Sequence, residues 1–230
     1  MSEAATAGPD GTVPDANVTG GPVVKLPTSF GVFQAQAWVD RATGAEHLSL
    51  SAPGGEPEGN GAGPLVRLHS ECLTGDVFGS FRCDCGEQLE YALEMIQRQG
   101  GTLVYLRGHE GRGIGLANKM RAYSLQEAGA DTVEANEQLG LPVDGRDYAA
   151  AAGILHALGL ARVRLLSNNP LKSADLSRHG ITVTEIVATH VPARAENLRY
   201  LETKRDRMHH TLEVTTPNGT PHTLTEGPTT

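Results

Sequence analysis

The chain's three cysteines, Cys72, Cys83 and Cys85, all fall in one stretch, RLHSECLTGDVFGSFRCDCGEQ (67–88). Three thiols cannot all pair, and no cysteine elsewhere can complete a disulfide framework. A Cys, ten residues, then Cys-x-Cys reads as a zinc site, because thiolates are soft ligands that suit Zn²⁺. Structural zinc sites close with four protein ligands, whereas catalytic sites keep three and leave a position for water or substrate. Three cysteines favour the open kind; His69 or His109 could close it instead. Three unrelated buried cysteines are the plainer alternative. The neighbours argue against it: Arg67, His69, Ser70 and Glu71 precede Cys72, and Arg82 and Asp84 flank Cys83. Zinc does not need an aspartate between two of its cysteines, so this polar density points to a ligand to be held.

Around that stretch the pattern sets a mixed α/β (α+β) fold: antiparallel N-terminal strands, then alternating strands and helices in one mixed sheet, as a single domain. Residues 1–22, rich in Gly, Pro, Ala and Thr, read as a disordered tail with structure starting near Val23. GVFQAQAWVD (31–40) and HLSLSA (47–52) alternate like half-buried strands, and LVRLH (65–69) is a strand leading into the cysteines. Leu89, Leu93 and Ile96 recur at helical spacing up to Gly100-Gly101. Strands over 102–107, 162–167 and 181–188 then alternate with helices near 116–123, 146–158, after Pro170, and 193–207. Residues 23–210 form the folded unit, and 211–230 read as a flexible tail. A net charge of −8 argues against a general nucleic-acid or anionic-membrane binder. Few cysteines, all in one motif, fit a reducing cytoplasm.

GHEGRGIG (108–115) is a glycine-rich turn between a strand and a helix, where backbone N–H groups can meet an anion. It matches neither common nucleotide-loop fingerprint, and a plain tight turn is the alternative. Glu110 and Arg112 within it strengthen the ligand reading, since arginine can clamp phosphate with two N–H groups. Lys119 and Arg121 read equally well as a solvated helix face. DTVEANEQLGLPVDGRDY (131–148) reads as less regular, with Glu134, Asn136 and Glu137 on an exposed surface and Asp144 or Asp147 as a helix N-cap. LLSNNP (165–170) ends a strand in polar residues, where Ser167 and Lys172 are plausible phosphate contacts; an Asn-Asn-Pro turn is the alternative. One nucleoside triphosphate would use all of these, with the metal at an electron-poor purine carbon and the cations at the phosphates.

RLHSECLTGDVFGSFRCDCGEQL, GHEGRGIGL, NKMRAY, DTVEAN, DGRDY and SNNPLK, in this order, resemble the GTP cyclohydrolase II family over roughly Lys25 to His210. The resemblance implies hydrolysis of GTP to 2,5-diamino-6-ribosylamino-4(3H)-pyrimidinone 5′-phosphate, formate and pyrophosphate, the first step of riboflavin synthesis. It implies Zn²⁺ on Cys72, Cys83 and Cys85, Mg²⁺ with the phosphates, and a cytoplasmic homodimer acting on GTP without nucleic acid or membrane. GTP contacts would be Arg67, Leu68, His69, Ser70, Glu71, Gln88, Glu110, Gly111, Arg112, Thr132, Ser167 and Lys172. Asp144 would accept a proton, Arg146 would be the nucleophile on the α-phosphate, and Tyr123 the active-site tyrosine. Ser167 stands where threonine is more usual in the family, keeping the hydroxyl. The family's butanone-phosphate partner domain is not expected in the short N-terminal tail, which implies a monofunctional form. Guanidinium stays protonated in proteins, so Arg146 also reads as a clamp on the phosphoryl group with water attacking. Other readings are a relative that retains the formyl group, a zinc nucleobase deaminase, and a non-enzymatic zinc-stabilised nucleotide-binding module. The deaminase would need H-x-E paired with P-C-x-x-C; the chain has C-D-C and no such pair.

Overall fold

The structure is a computed structural model that describes residues 17–54 and 61–208. Seven strands form one mixed sheet in the order β1-β2-β3-β5-β4-β6-β7. β1 (Val18–Thr28), β2 (Gly31–Asp40) and β3 (Glu46–Ala52) are antiparallel neighbours, and β3 pairs antiparallel with β5 (Gly101–Leu106). β4 (Leu65–Ser70) lies parallel between β5 and β6 (Arg162–Leu166), and β6 pairs parallel with β7 (Thr182–Val187). This is the mixed α/β architecture expected from the strand and helix spacing.

The central strands are buried on both faces, as parallel strands flanked by helices must be. In β4, Leu65 joins one core with Leu103, Phe33 and Ile96, while Val66 and Leu68 join the other with Val104, Leu106 and Ile154. α2 (Cys85–Gln99) turns Ala92, Leu93 and Ile96 into the first core and stops at Gly100, whose φ is 76°. α5 (Ala149–Ala157) and α6 (Pro170–Arg178) cover the second with Ile154, Leu155 and Leu176. Each such fully buried side chain contributes about 1.5–3 kcal/mol.

Three expectations need correction. The sheet starts at Val18, inside the stretch read as tail. A Gly-Gly-Pro run hid the strand, but β1 is an edge strand, where proline is tolerated, and its register shifts between Gly20 and Val23. The stretch 131–148 is regular at its start, and Asn136 is buried: α4 (Thr132–Gln138) opens on a capping box in which Asp131 accepts from Val133 and Glu134, and Glu134 accepts from Asp131 N. The last helix, α7 (Leu198–Met208), starts five residues late, because Arg194 N donates to Asn197 Oδ1 in a turn before it. Residues 1–16 and 209–230, most of both expected tails, lie outside the described residues. Among the described residues no helix is long and apolar enough to cross a membrane.

Candidate active site

The carboxyl ends of the parallel strands β4 and β6 open on one cleft, the usual position for a ligand in such a sheet. It encloses about 1120 Å³ including its open mouth. Seven cationic side chains line it against one carboxylate, Glu71. A strongly cationic pocket therefore sits on an acidic chain.

The cysteines form one end. Their sulfurs lie within 4.8 Å of one another, and Cys72 Sγ is 3.7 Å from Cys83 Sγ. Two thiolates on one tetrahedral zinc, with bonds of about 2.3 Å, would be about 3.8 Å apart. Gly75, in the short helix α1 (Leu73–Asp76), leaves the room: a Cβ there would lie 2.9 Å from Cys83 Sγ and 3.3 Å from Cys72 Sγ. As free thiols the three cannot share charge. Hydrogen bonds from Cys83 and Cys85, aided by Lys119, hold Cys72 as thiolate well below the usual thiol range. Cys83 is pushed up to about 11, chiefly by its bond to Cys72, and Cys85 is pushed well above the usual thiol range, again chiefly by Cys72. A soft dication would let all three ionise, so the donor set fits a metal. Neither His69 nor His109 joins the group: His69 Nε2 bonds Asp76 Oδ1 at 3.0 Å, and His109 Nδ1 lies 3.1 Å from Ser70 Oγ.

A polar frame fixes this end. Asp76 accepts from Cys72 N at 2.9 Å and from Tyr105 Oη at 2.7 Å while meeting His69. Glu110 accepts from Leu73 N at 2.8 Å and from Lys119 Nζ at 2.6 Å. Lys119 Nζ also donates to Cys72 Sγ at 3.1 Å and to Thr74 Oγ1 at 2.9 Å. Lys119 is thus buried against the cysteines rather than solvating its helix, while Arg121 is exposed. Burial works against its charge, but Glu110 and Cys72 outweigh it and raise its pKa.

The glycine-rich turn forms the other wall. Gly111 and Gly113 have φ of 60° and 90°, and Arg112 between them has φ 67°, the only positive value of a non-glycine among the described residues. A Cβ on Gly113 would lie 3.1 Å from Gly145, and Gly145 N donates to Arg112 O at 3.0 Å, so the two loops clasp. Both terminal nitrogens of Arg112 are buried with no hydrogen-bond partner among the described residues. Arg146 is committed to Asp144 by Nε at 2.8 Å and Nη2 at 2.5 Å. Burial opposes the Arg146 charge, yet the bond to Asp144 wins and raises its pKa; burial likewise opposes the Asp144 charge, yet Arg146 lowers the Asp144 pKa. Asp144 therefore does not cap α5: Tyr148 N donates to Asp175 Oδ2, and Ala149 N to Asp147 Oδ1.

Most of the residues expected at a substrate converge on the cleft: Arg67, His69, Ser70, Glu71, Gln88, Gly111, Arg112, Tyr123, Thr132, Arg146, Ser167 and Lys172 line it. Leu68, Glu110 and Asp144 do not line it. Leu68 alternates into the core and offers only its carbonyl, which takes Lys172 Nζ at 2.7 Å. Ser167 Oγ accepts from Asn169 N at 3.0 Å, while Asn169 caps α6 through Leu171 N, so the Asn-Asn-Pro turn and the cleft coexist. Lys119, Tyr200 and Lys204 line the cleft without having been expected there. No spacing signal could have placed Lys204, which meets Asp84 from 120 residues away.

The model of a family described as GTP cyclohydrolase II matches residues 22–188. Riboflavin biosynthesis protein RibBA of Rhodococcus jostii is 54% identical over 192 residues, covering 82% of this chain and 46% of that protein. RibBA of Salinispora tropica is 56% identical over 189 residues, with the same shares. A probable bifunctional riboflavin biosynthesis protein, RIBA 2, of Oryza sativa is 53% identical over 189 residues, covering 82% of this chain and 34% of that protein. The chain therefore spans less than half the length of these relatives. A two-domain 3,4-dihydroxy-2-butanone 4-phosphate synthase, RibBX of A. baumannii, is 20% identical at a TM-score of 0.42, covering 77% of this chain and 42% of that one. That likeness is too remote to bear on the site.

Proposed function

This chain belongs to the GTP cyclohydrolase II family, and on that premise we propose that it hydrolyses GTP in the first step of riboflavin biosynthesis. The products would be 2,5-diamino-6-ribosylamino-4(3H)-pyrimidinone 5′-phosphate, formate and pyrophosphate. One observation carries the reading: a cleft with seven cations and one carboxylate has three converging thiols at one end. A ligand anionic along one side and electron-poor at the other suits both ends.

Cys72, Cys83 and Cys85 would hold Zn²⁺, which when bound supplies a Lewis acid and acidifies water for attack on the purine ring. Mg²⁺ would accompany the phosphates. The chain's own groups do the rest. Arg112 offers two buried, uncommitted N–H donors to a phosphate. Lys172 lies in the same cleft; its burial, reinforced by Arg67 and Arg146, lowers its pKa, and an anion alongside would favour its charged form. Burial pushes the Tyr123 hydroxyl up to about 12, so it acts as a hydrogen-bond donor rather than a base. Arg146 is best read as a clamp. Its guanidinium is held cationic by Asp144, and a cation without a free lone pair stabilises phosphoryl charge far better than it attacks phosphorus. Asp144, with both oxygens on Arg146, orients that clamp and is a weak base.

Turnover of GTP to formate and pyrophosphate tests the proposal. Stoichiometric binding of GTP without turnover would overturn it in favour of a nucleotide-binding module.

A further inference from the structure

Asp84, the residue that zinc does not require, is nearly sealed from solvent between Cys83 and Cys85. Lys204 of α7 meets it there: Nζ donates to Asp84 Oδ1 at 2.8 Å, and both side chains are buried. Asp84 Oδ2 in turn accepts from Gln88 Nε2 at 2.5 Å, and Gln88 Oε1 accepts from Arg67 Nη2 at 2.7 Å. One unbroken polar chain thus runs from α7 through the cysteine motif to the first cation of the cleft.

α7 is tied across the cleft at further points. Lys204 Nζ is 4.7 Å and the Arg112 guanidinium 5.8 Å from the centre of the Tyr200 ring, so one aromatic ring receives both cations. Arg207 pairs with Asp131, the N-cap of α4, and before the helix Arg194 Nε donates to Glu87 at 2.9 Å. Tyr200 and Lys204 face the same cavity as Arg67 and Gln88. The helix itself lies beyond residue 188, where the family match ends.

We propose that α7 is a strap that completes the nucleotide cleft, and that Lys204 is a positioning residue which sets Gln88 and Arg67 for substrate through Asp84. This rests on GTP being the ligand. A buried ammonium is needed because Asp84 would otherwise be an uncompensated buried charge. An ordered Asp84 presents one oxygen to Gln88, and the amide so fixed turns its carbonyl to Arg67. Without Lys204 the cysteines keep their own frame of Asp76, Glu110 and Lys119, so the loss falls on substrate binding and not on metal.

The test compares wild type, Lys204→Arg, Lys204→Met and the pair Lys204→Met with Asp84→Leu. The pair removes the buried charge together with its partner and so guards against mere unfolding. The expected result is a KM for GTP raised about tenfold or more in Lys204→Met and in the pair, with kcat and bound zinc much less changed. Lys204→Arg should recover part of the loss. Hydrogen exchange of wild type should show α7 amides slowed on adding GTP. A folded pair with wild-type KM, or α7 exchange indifferent to GTP, overturns the inference. If wild type neither binds nor turns over GTP, the reading of the cleft falls, and this inference with it.

Discussion

Arg146 and Asp144 share two parallel hydrogen bonds, at 2.8 and 2.5 Å, and Arg146 N adds a third to the same carboxylate at 3.1 Å. Side chains two residues apart thereby fix a planar cation at the cleft wall. The geometry predicts that Arg146→Ala lowers pyrophosphate release by about 100-fold or more, the scale of losing one preorganised transition-state donor. Arg146→Lys should keep the charge, lose the fork and retain part of that rate. Mass mapping of quenched wild type should find no nucleotide on Arg146. An adduct on that residue would refute the clamp.

The cysteine end makes a separate demand on Gly75. An added Cβ would lie 2.9 Å from Cys83 Sγ and 3.0 Å from Cys85 Cβ, closer than side-chain atoms come without movement. Gly75→Ala should leave the fold intact, as a four-residue helix of which little is core, yet reduce bound zinc well below one per chain. Elemental analysis of the purified variant measures this. Full zinc in Gly75→Ala would show that the sulfurs do not converge as described.

Tyr123 lines the cleft with the cysteines, and the Arg82 guanidinium is 4.6 Å from its ring centre. Tyr123→Phe removes the only hydroxyl that side chain has and leaves its packing. Formate release should fall by at least about tenfold, within the range for one positioned proton donor. Pyrophosphate release, proposed to rest on Arg112, Arg146 and Lys172, should persist. Parallel assays of the two products decide; equal loss of both would contradict the separation of the two half-reactions.

His109 gives a pH dependence of stability. Burial first, then Arg146 and Lys172, lower its pKa to about 4, and burial also lowers those of His69 and His47. The folded pKa lies below the unfolded value of about 6.5. Above that value both states are neutral and His109 contributes no pH dependence. As pH falls from about 6.5 towards 4, the unfolded chain takes a proton that the folded one refuses, and stability drops. Between about pH 7 and pH 5 the loss from His109 is on the order of 2 kcal/mol. Urea denaturation of wild type and His109→Gln at both pH values checks it, and the variant should lose less. Identical losses would remove His109 from the account.

The sheet was legible because its signals are local. Alternation in GVFQAQAWVD and the Leu89, Leu93, Ile96 spacing record which face each element buries, and those faces are the two cores. The three cysteines were legible because a thiol trio has few other uses. What stayed hidden depends on the third dimension. Lys119 sits at an ordinary helical position, and only the approach of Cys72 and Glu110 makes it a buried cation. α4 carried a usable signal, since Asp131 three residues before Glu134 is a capping-box spacing. Leu68 shows the limit of a motif: it sits in a run expected to meet substrate, but strand alternation sends its side chain to the core and leaves its carbonyl to Lys172.

The most direct measurement follows the carbon lying between the two imidazole nitrogens of GTP. Protein with Zn²⁺ and Mg²⁺ is given GTP labelled at that position, and all products are identified by mass. The expected products are labelled free formate, pyrophosphate and an unlabelled diaminopyrimidinone ribosyl monophosphate. Label retained in the nucleotide as a formyl group, or GTP recovered intact beside metal-loaded protein, would contradict the proposed reaction.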